Sequence, residues 1–165
     1  MTKPTTTMRL RVDDRLLHGQ VVVTWVRDLA IKTIWIISDR VASEPIEIAL
    51  LQSAVPFDVQ LEIYTTQEAV EQIHKPYTAQ STMIMVENLQ TILELYELGF
   101  PLPDINVGGL RYQPGKIALN RAVYVGKEDV EICHNLEQQG IVMTLQIVPS
   151  DYRMNFYDRL RKKWK

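Results

Sequence analysis

The chain has 165 residues, 46% hydrophobic and 23% charged, the make-up of one globular domain large enough to enclose a core. Its formal net charge of −2 argues against a nucleic-acid-binding protein, which carries a basic excess. A single cysteine excludes a disulfide framework and a thiolate metal cluster, and His18, His74 and His134 lack the spacing that holds zinc on one helix face.

Residues 1–7 (MTKPTTT) are polar, lack the apolar stretch of a secretory signal and read as a flexible tail. MRLRV (8–12) is the first strand. It runs into VDDRLLHGQ, where Asp13 to His18 bring two carboxylates, a guanidinium and an imidazole into six residues. A helix is expected over Gly19–Ala30. VVVTWV is β-branched, but Val22, Val26 and Leu29 recur at helical spacing, and parallel strands need a crossover between them. Strands TIWIIS (33–38), VQLEIY (59–64) and TMIMVE (82–87) follow, separated by helices over Glu44–Ala54 and Thr66–His74. In the next helix, Asn88–Leu98, Leu89, Ile92, Leu93, Leu95 and Tyr96 share one stripe, and Gly99 then Pro101 end it. INVG (105–108) and AVYV (122–125) are short strands, the second directly after a QPGK turn. A helix over Lys127–Gln139 carries acids in its first turn and stops at Gly140; VMTLQIV (142–148) is a strand, and a last helix covers Asp151–Lys163. The closing RLRKKWK reads as a solvated helix end whose cations suit the dipole. No apolar run nears the ~20 residues that span a bilayer, so a cytoplasmic protein is expected.

Strand–helix alternation implies an α/β fold: a single domain with a mainly parallel sheet of about seven strands and helices on both faces. AVYV, with no helix before it, is the expected antiparallel member. In such sheets ligands bind beyond the carboxyl ends of the strands. Those ends carry Asp13-Asp14-Arg15 and His18, then Ser38-Asp39-Arg40, then Glu87-Asn88, then Gly108-Gly109 and Arg111. Three arginines, an imidazole and glycines on one edge suit an anion. There is no G-x-x-x-x-G-K-[ST], G-x-G-x-x-G or G-x-S-x-G, so no ATP, dinucleotide or serine-hydrolase chemistry is implied, and no cofactor or metal is expected.

His18 sits just ahead of a helix that opens at Gly19, where free amides and the positive dipole end favour phosphate. Arg15 can offer paired donors to phosphate oxygens. Asp13 or Asp14 can accept from one ring N–H, fixing the tautomer and leaving the other nitrogen free to attack. These are the parts of a phosphohistidine site. By composition and spacing alone, a surface histidine whose acids cap the next helix is the more economical account. His74 and His134, with no charged constellation, read as structural. Cys133 reads as a small packing residue, and NVGG as a tight turn.

RVDDRLLHGQV closely resembles the first-loop motif of the mannose/sorbose-type enzyme IIB components of the bacterial phosphotransferase system. The similarity extends over nearly the whole chain, through SDRVASEP, INVGG and QIVPSD. The resemblance implies that His18 takes a phosphoryl group from a phosphohistidine on a IIA partner and passes it to a sugar held by membrane IIC and IID components. Arg15 and Asp14 match the positions beside the phosphorylated histidine. Asp13, Gly19, Arg40, Gly108, Gly109 and Arg111 are further candidates for the phosphate loops. It also implies a cytoplasmic protein peripherally associated with the transporter, acting on mannose, fructose, sorbose or an N-acetylated amino sugar. Two departures stand out. Family members often have an acidic pair where this chain has Ser38-Asp39, and an Asn-Met where it has Gly109-Leu110. The competing class is a non-catalytic anion-binding or regulatory α/β domain, in which Arg15, Arg40 and Arg111 bind and His18 only donates a hydrogen bond. A metal-independent hydrolase using His18 and Asp14 is a third.

Overall fold

In the computed structural model, which describes residues 7–76 and 80–165, the apolar runs line up as β1 (Met8–Asp13), β2 (Thr33–Ile37), β3 (Gln60–Tyr64), β4 (Thr82–Val86) and β5 (Ile105–Gly109). A small ribbon, β6 (Ile117–Ala118) with β7 (Tyr124–Val125), precedes β8 (Met143–Leu145) and β9 (Met154–Asn155). The main sheet has the order β3-β2-β4-β1-β5-β8-β9, and every pairing in it is parallel except β8 with β9. The expected tail over residues 1–7 lies, except for Thr7, outside the described residues; the Thr7 carbonyl already accepts from Thr82 N at 3.0 Å.

The helices are α1 (Gly19–Val21), α2 (Asp39–Ala42), α3 (Pro45–Ala54), α4 (Thr66–Ile73), α5 (Leu89–Glu97), α6 (Lys127–Gln138) and α7 (Phe156–Lys163). Side chains alternate across a strand, so each central strand feeds two cores. Ile84 and Val86 of β4 pack with Leu89, Ile92 and Leu95 of α5 and with Cys133 and Leu136 of α6. Met83 and Met85 pack on the other face with Val21, Trp25 and Val26 from the first helix. Both faces of β2 and β4 are buried throughout, as near-continuous apolar runs require.

Four expectations need correcting. AVYV is not in the main sheet: Tyr124–Val125 pair antiparallel with Ile117–Ala118 in the separate ribbon. The antiparallel member is β9, inside the segment expected as the start of the last helix, which begins only at Phe156 with Asn155 as its cap. The strand expected over 142–148 stops at Leu145, because the carbonyls of Gln146 and Ile147 turn to a buried arginine. The helix expected over Gly19–Ala30 is α-helical for one turn and then π-helical over Val22–Val26. Thr24 Oγ1 donates to the Gln20 carbonyl at 2.7 Å, competing for the acceptor a regular ladder would give to Thr24 N.

Candidate functional site

β1 divides its side chains by parity. Leu10 and Val12 enter the α5–α6 core, whereas Arg11 and Asp13 point to the opposite face and are buried there, 1% and 0% exposed. Such a pair requires partners on every side. Arg11 Nη1 donates to Asn106 Oδ1 at 2.6 Å and to the Gln146 carbonyl at 3.1 Å. Its Nη2 donates to Asp13 Oδ2 and to the Ile147 carbonyl, both at 3.2 Å. Trp25 lies with its ring centroid 4.9 Å from the guanidinium carbon, and its Nε1 donates to the same Ile147 carbonyl at 2.9 Å.

Room for this cluster comes from Gly108 and Gly109. The β1–β5 register slips by one residue beside Asp13, so Gly108 has no opposite residue on β1. A Cβ on Gly108 would fall 2.0 Å from Arg11 Cζ, and one on Gly109 would fall 3.0 Å from Asp13 Oδ1. Both lie in β5, and neither has a positive φ. The tight turn expected for NVGG is therefore replaced by a close approach of side chain to backbone.

Beyond Asp13 the chain leaves the sheet in a tight loop. Asp14 N donates to the Gly109 carbonyl and Leu16 N to the Asp13 carbonyl. Leu16 takes a left-handed conformation (φ 54°), which sinks both Leu16 and Leu17 into the first-helix core. His18 follows in extended conformation as the residue that precedes α1, its side chain 18% exposed. Its Nε2 lies 3.1 Å from Asp13 Oδ2. An ionised carboxylate only accepts, so Nε2 carries a proton, and in the neutral ring Nδ1 keeps its lone pair. Arg15 N donates to the other Asp13 oxygen at 3.1 Å, and Arg15 Nε lies 3.5 Å from it, with the side chain 45% exposed. Burial pushes the Asp13 carboxyl up, but the His18 hydrogen bond, the Arg11 charge and the Arg15 amide outweigh it and hold it below its ordinary value.

Asp13, then, is the carboxylate at the ring. Asp14 is turned the other way, its Oδ2 accepting from Arg111 N at 2.8 Å and Arg111 Nε at 3.0 Å. Arg40 donates from Nη1 to both oxygens of Glu47 and from Nε and Nη2 to Glu87, which raise its pKa in that order. Ser38 caps α2 through Val41 N and donates to Glu87, while Asp39 accepts from Thr66. Asp14, Arg15, Arg40 and Arg111 nonetheless share one cleft of about 300 Å³ with Glu47 and Leu50. Gly19 opens α1 with nothing within 4 Å of a would-be Cβ. His74 and His134 are exposed at the end and on the surface of helices, and Cys133 is buried in the core, its thiol pushed up by burial. Sequence reasoning missed Arg11, Asn106 and Trp25. The signal available for Arg11 was a charge on an inward position of a central strand.

Loops leaving β1 and β2 run to the first-helix side, and those leaving β4 and β5 run to the α5–α6 side. The imidazole thus stands where adjacent connections diverge, at the switch point of a doubly wound sheet. Fold and site define a doubly wound α/β domain that offers a carboxylate-anchored histidine at this edge. More particularly, the chain belongs to the sorbose-subfamily IIB components of the phosphotransferase system, whose family model matches residues 8–165. It is 30% identical over 152 residues to the fructose-specific EIIB component of Bacillus subtilis, covering 92% of this chain and 93% of that one. It is 29% identical over 153 residues to the mannose-specific EIIAB component of Escherichia coli K12, covering 92% of this chain and 47% of that longer protein. The solved IIBSor domain of the sorbose permease from Klebsiella pneumoniae superposes with a TM-score of 0.87 at 28% identity, over 94% of this chain and 97% of that one. Among the described residues no helix is long and apolar enough to cross a membrane.

Proposed function

We propose that His18 is the phosphoryl carrier of this phosphotransferase component, with Nδ1 as the attacking atom. The observation that carries the reading is the bond from Nε2 to buried Asp13, which leaves the Nδ1 lone pair free beside the opening turn of α1. In the first transfer Nδ1 forms a bond to phosphorus as the bond to the donor's phosphohistidine nitrogen breaks, and the electron pair returns to the donor ring. The Nε2 proton stays on the Asp13 hydrogen bond throughout. In the second transfer a sugar hydroxyl oxygen bonds to phosphorus, the pair returns to Nδ1, and the hydroxyl proton leaves to a base on the acceptor side. Donor and acceptor of the first step are both imidazoles, so the transfer runs near balance without metal or nucleotide.

Arg15 is the cation with a weakly engaged fork, and the amides of Gly19, Gln20 and Val21 have no acceptor in a preceding helical turn. These groups would take the phosphoryl oxygens. A non-catalytic anion sensor would need its arginines free, but Arg40 is engaged by Glu47 and Glu87, and Arg111 by Asp14. The donor is a IIA protein, a pairing in keeping with the EIIAB arrangement of the mannose relative, and the acceptor sugar is held by membrane IIC and IID components. The relatives' names span fructose, mannose and sorbose, which agrees with a sugar chosen by the membrane partner.

Incubation with phosphoenolpyruvate, the general relay enzymes and a IIA protein, followed by intact mass and peptide mapping, tests this. One acid-labile phosphoryl group is expected on His18 and none on the His18→Ala protein. Label on His74 or His134, or an equally labelled alanine variant, overturns the reading.

A further inference from the structure

A buried arginine–carboxylate pair is a weak source of stability, since apolar residues of the same shape often serve as well or better. The Met83 and Met85 side chains on the same face show that this layer can be apolar. Arg11 is nevertheless tied to β5, to the β8 exit and to the first helix at once, and β5 spends a glycine to admit it. Its one charged target is Asp13 Oδ2, the same oxygen that holds His18 Nε2.

We infer that Arg11 is a positioning residue for His18, acting through Asp13 to hold the carboxylate–imidazole pair to a single proton, on Nε2. The inference rests on the phosphoryl-carrier reading for its purpose, though not for its chemistry. Take the guanidinium away and a buried carboxylate faces the imidazole alone. The pair then takes up a second proton more readily. Taken up by the ring, it gives an imidazolium with Nδ1 and Nε2 both protonated. Taken up by Asp13, it makes the carboxyl a donor to Nε2, and the neutral ring must carry its proton on Nδ1. Either way the lone pair on Nδ1 is lost. Arg11 opposes both outcomes because its charge sits on the far side of the same carboxylate, buried where solvent screens little. The other charges about the ring do not substitute for it. Arg15 is half-exposed, Asp14 and Arg111 neutralise each other, and the first turn of α1 brings only Gly19, Gln20 and Val21.

The test is imidazole 15N NMR of His18 across pH 5–9 in the wild type, Arg11→Met, Arg11→Lys and Asn106→Ala, with circular dichroism to establish folding. Wild-type His18 is expected as the Nε2–H tautomer at neutral pH. Arg11→Met is expected to show Nδ1 protonated at higher pH than in the wild type, with the acid limb of phosphoryl acceptance moved up by about one pH unit, the effect of one nearby charge. Arg11→Lys restores the charge and is expected to recover part of the shift. If Arg11→Met does not fold, Asn106→Ala decides, since it removes the 2.6 Å support of the fork and leaves the charge in place. A smaller shift in the same direction supports the inference. A folded Arg11→Met protein, or failing that Asn106→Ala, with wild-type His18 resonances at every pH overturns it. Absence of phosphate on wild-type His18 would sink the carrier reading instead and leave these resonances to be judged by themselves.

Discussion

Gly108→Ala is the sharpest perturbation the site allows. The added Cβ would fall 2.0 Å from Arg11 Cζ and 2.1 Å from both Nη atoms, well inside any contact real atoms make. Elsewhere the far end of an arginine would simply swing aside. Here the guanidinium is 1% exposed and held by Asn106, Asp13 and two carbonyls, so moving it breaks several bonds together. A hydrogen bond to a charged group contributes about 1.5–3 kcal/mol, and separating a buried ion pair costs about 3–5 kcal/mol. A loss of about 3–5 kcal/mol is therefore expected, which at about 2–4 °C per kcal/mol lowers the melting temperature by roughly 6–20 °C. Gly109→Ala makes a useful contrast. Its Cβ meets Asp13 Oδ1 at 3.0 Å, a contact relieved by a shift of a few tenths of an ångström, with an expected cost of about 1 kcal/mol. Urea unfolding at pH 7, extrapolated linearly, measures both. If Gly108→Ala lies within about 0.5 kcal/mol of wild type, Arg11 is not packed against β5 as described.

Arg15→Ala should slow phosphoryl acceptance about a hundredfold, about 3 kcal/mol of transition-state stabilisation, while a side chain so exposed leaves stability within about 0.5 kcal/mol. Arg15→Lys should recover only part, because an ammonium has no fork, and single-turnover transfer kinetics separate the three proteins. Asp13, with its pKa held down in the folded state, contributes stability that is fully present above its ordinary range near pH 4 and lost as pH falls below it. Acid unfolding followed by tryptophan fluorescence should show this loss, and Asp13→Asn should be less stable at pH 7 yet less sensitive to acid. Equal acid slopes in the two proteins would count against the buried network.

Periodicity carried most of the fold. TIWII and TMIMV, apolar at both parities, could only be central strands, and the stripe of α5 with Asn88 before it and Gly99 after it set that helix within a residue. What escaped was decided by contacts remote in sequence. Met154–Asn155 becomes a strand only because β8 offers it an edge, and two residues show no period. Val22–Val26 winds as a π-helix through one threonine hydroxyl, which no helical-wheel count detects. At the site, the strand-to-loop position of Asp13–His18 was legible, as was the convergence of Arg15, Arg40 and Arg111 on one cleft. Which aspartate meets the ring was not, since Asp13 and Asp14 differ only in the parity with which β1 delivers them. β1 parity puts Asp13 on the buried face with Arg11, and the turn at Leu16 brings His18 back over it.

Under the proposed carrier role, which needs a reacting atom exposed to two proteins in turn yet kept oriented, the graded burial across this site has a use. The His18 side chain is 18% exposed, Asp13 behind it 0%, and Arg11 behind that 1%, whereas Arg15 and Arg111 at the rim are 45% and 71% exposed. Salt should therefore separate the two layers. Raising ionic strength from 0.1 to 1 M shortens the screening length from about 10 Å to about 3 Å, which weakens rim charges and hardly touches a dry pair. Transfer from a phosphorylated donor should slow several-fold over that range as the steering by Arg15 fades. The His18 ring resonances at fixed pH should stay where they were, because the bond to Asp13 and the charge of Arg11 lie out of reach of added ions. Transfer rates measured at low donor concentration, beside 15N spectra of the same samples, give both readings at once. A tautomer that changes with salt, at a transfer rate that does not, would place the electrostatic control of His18 at the rim and not in the strand behind it.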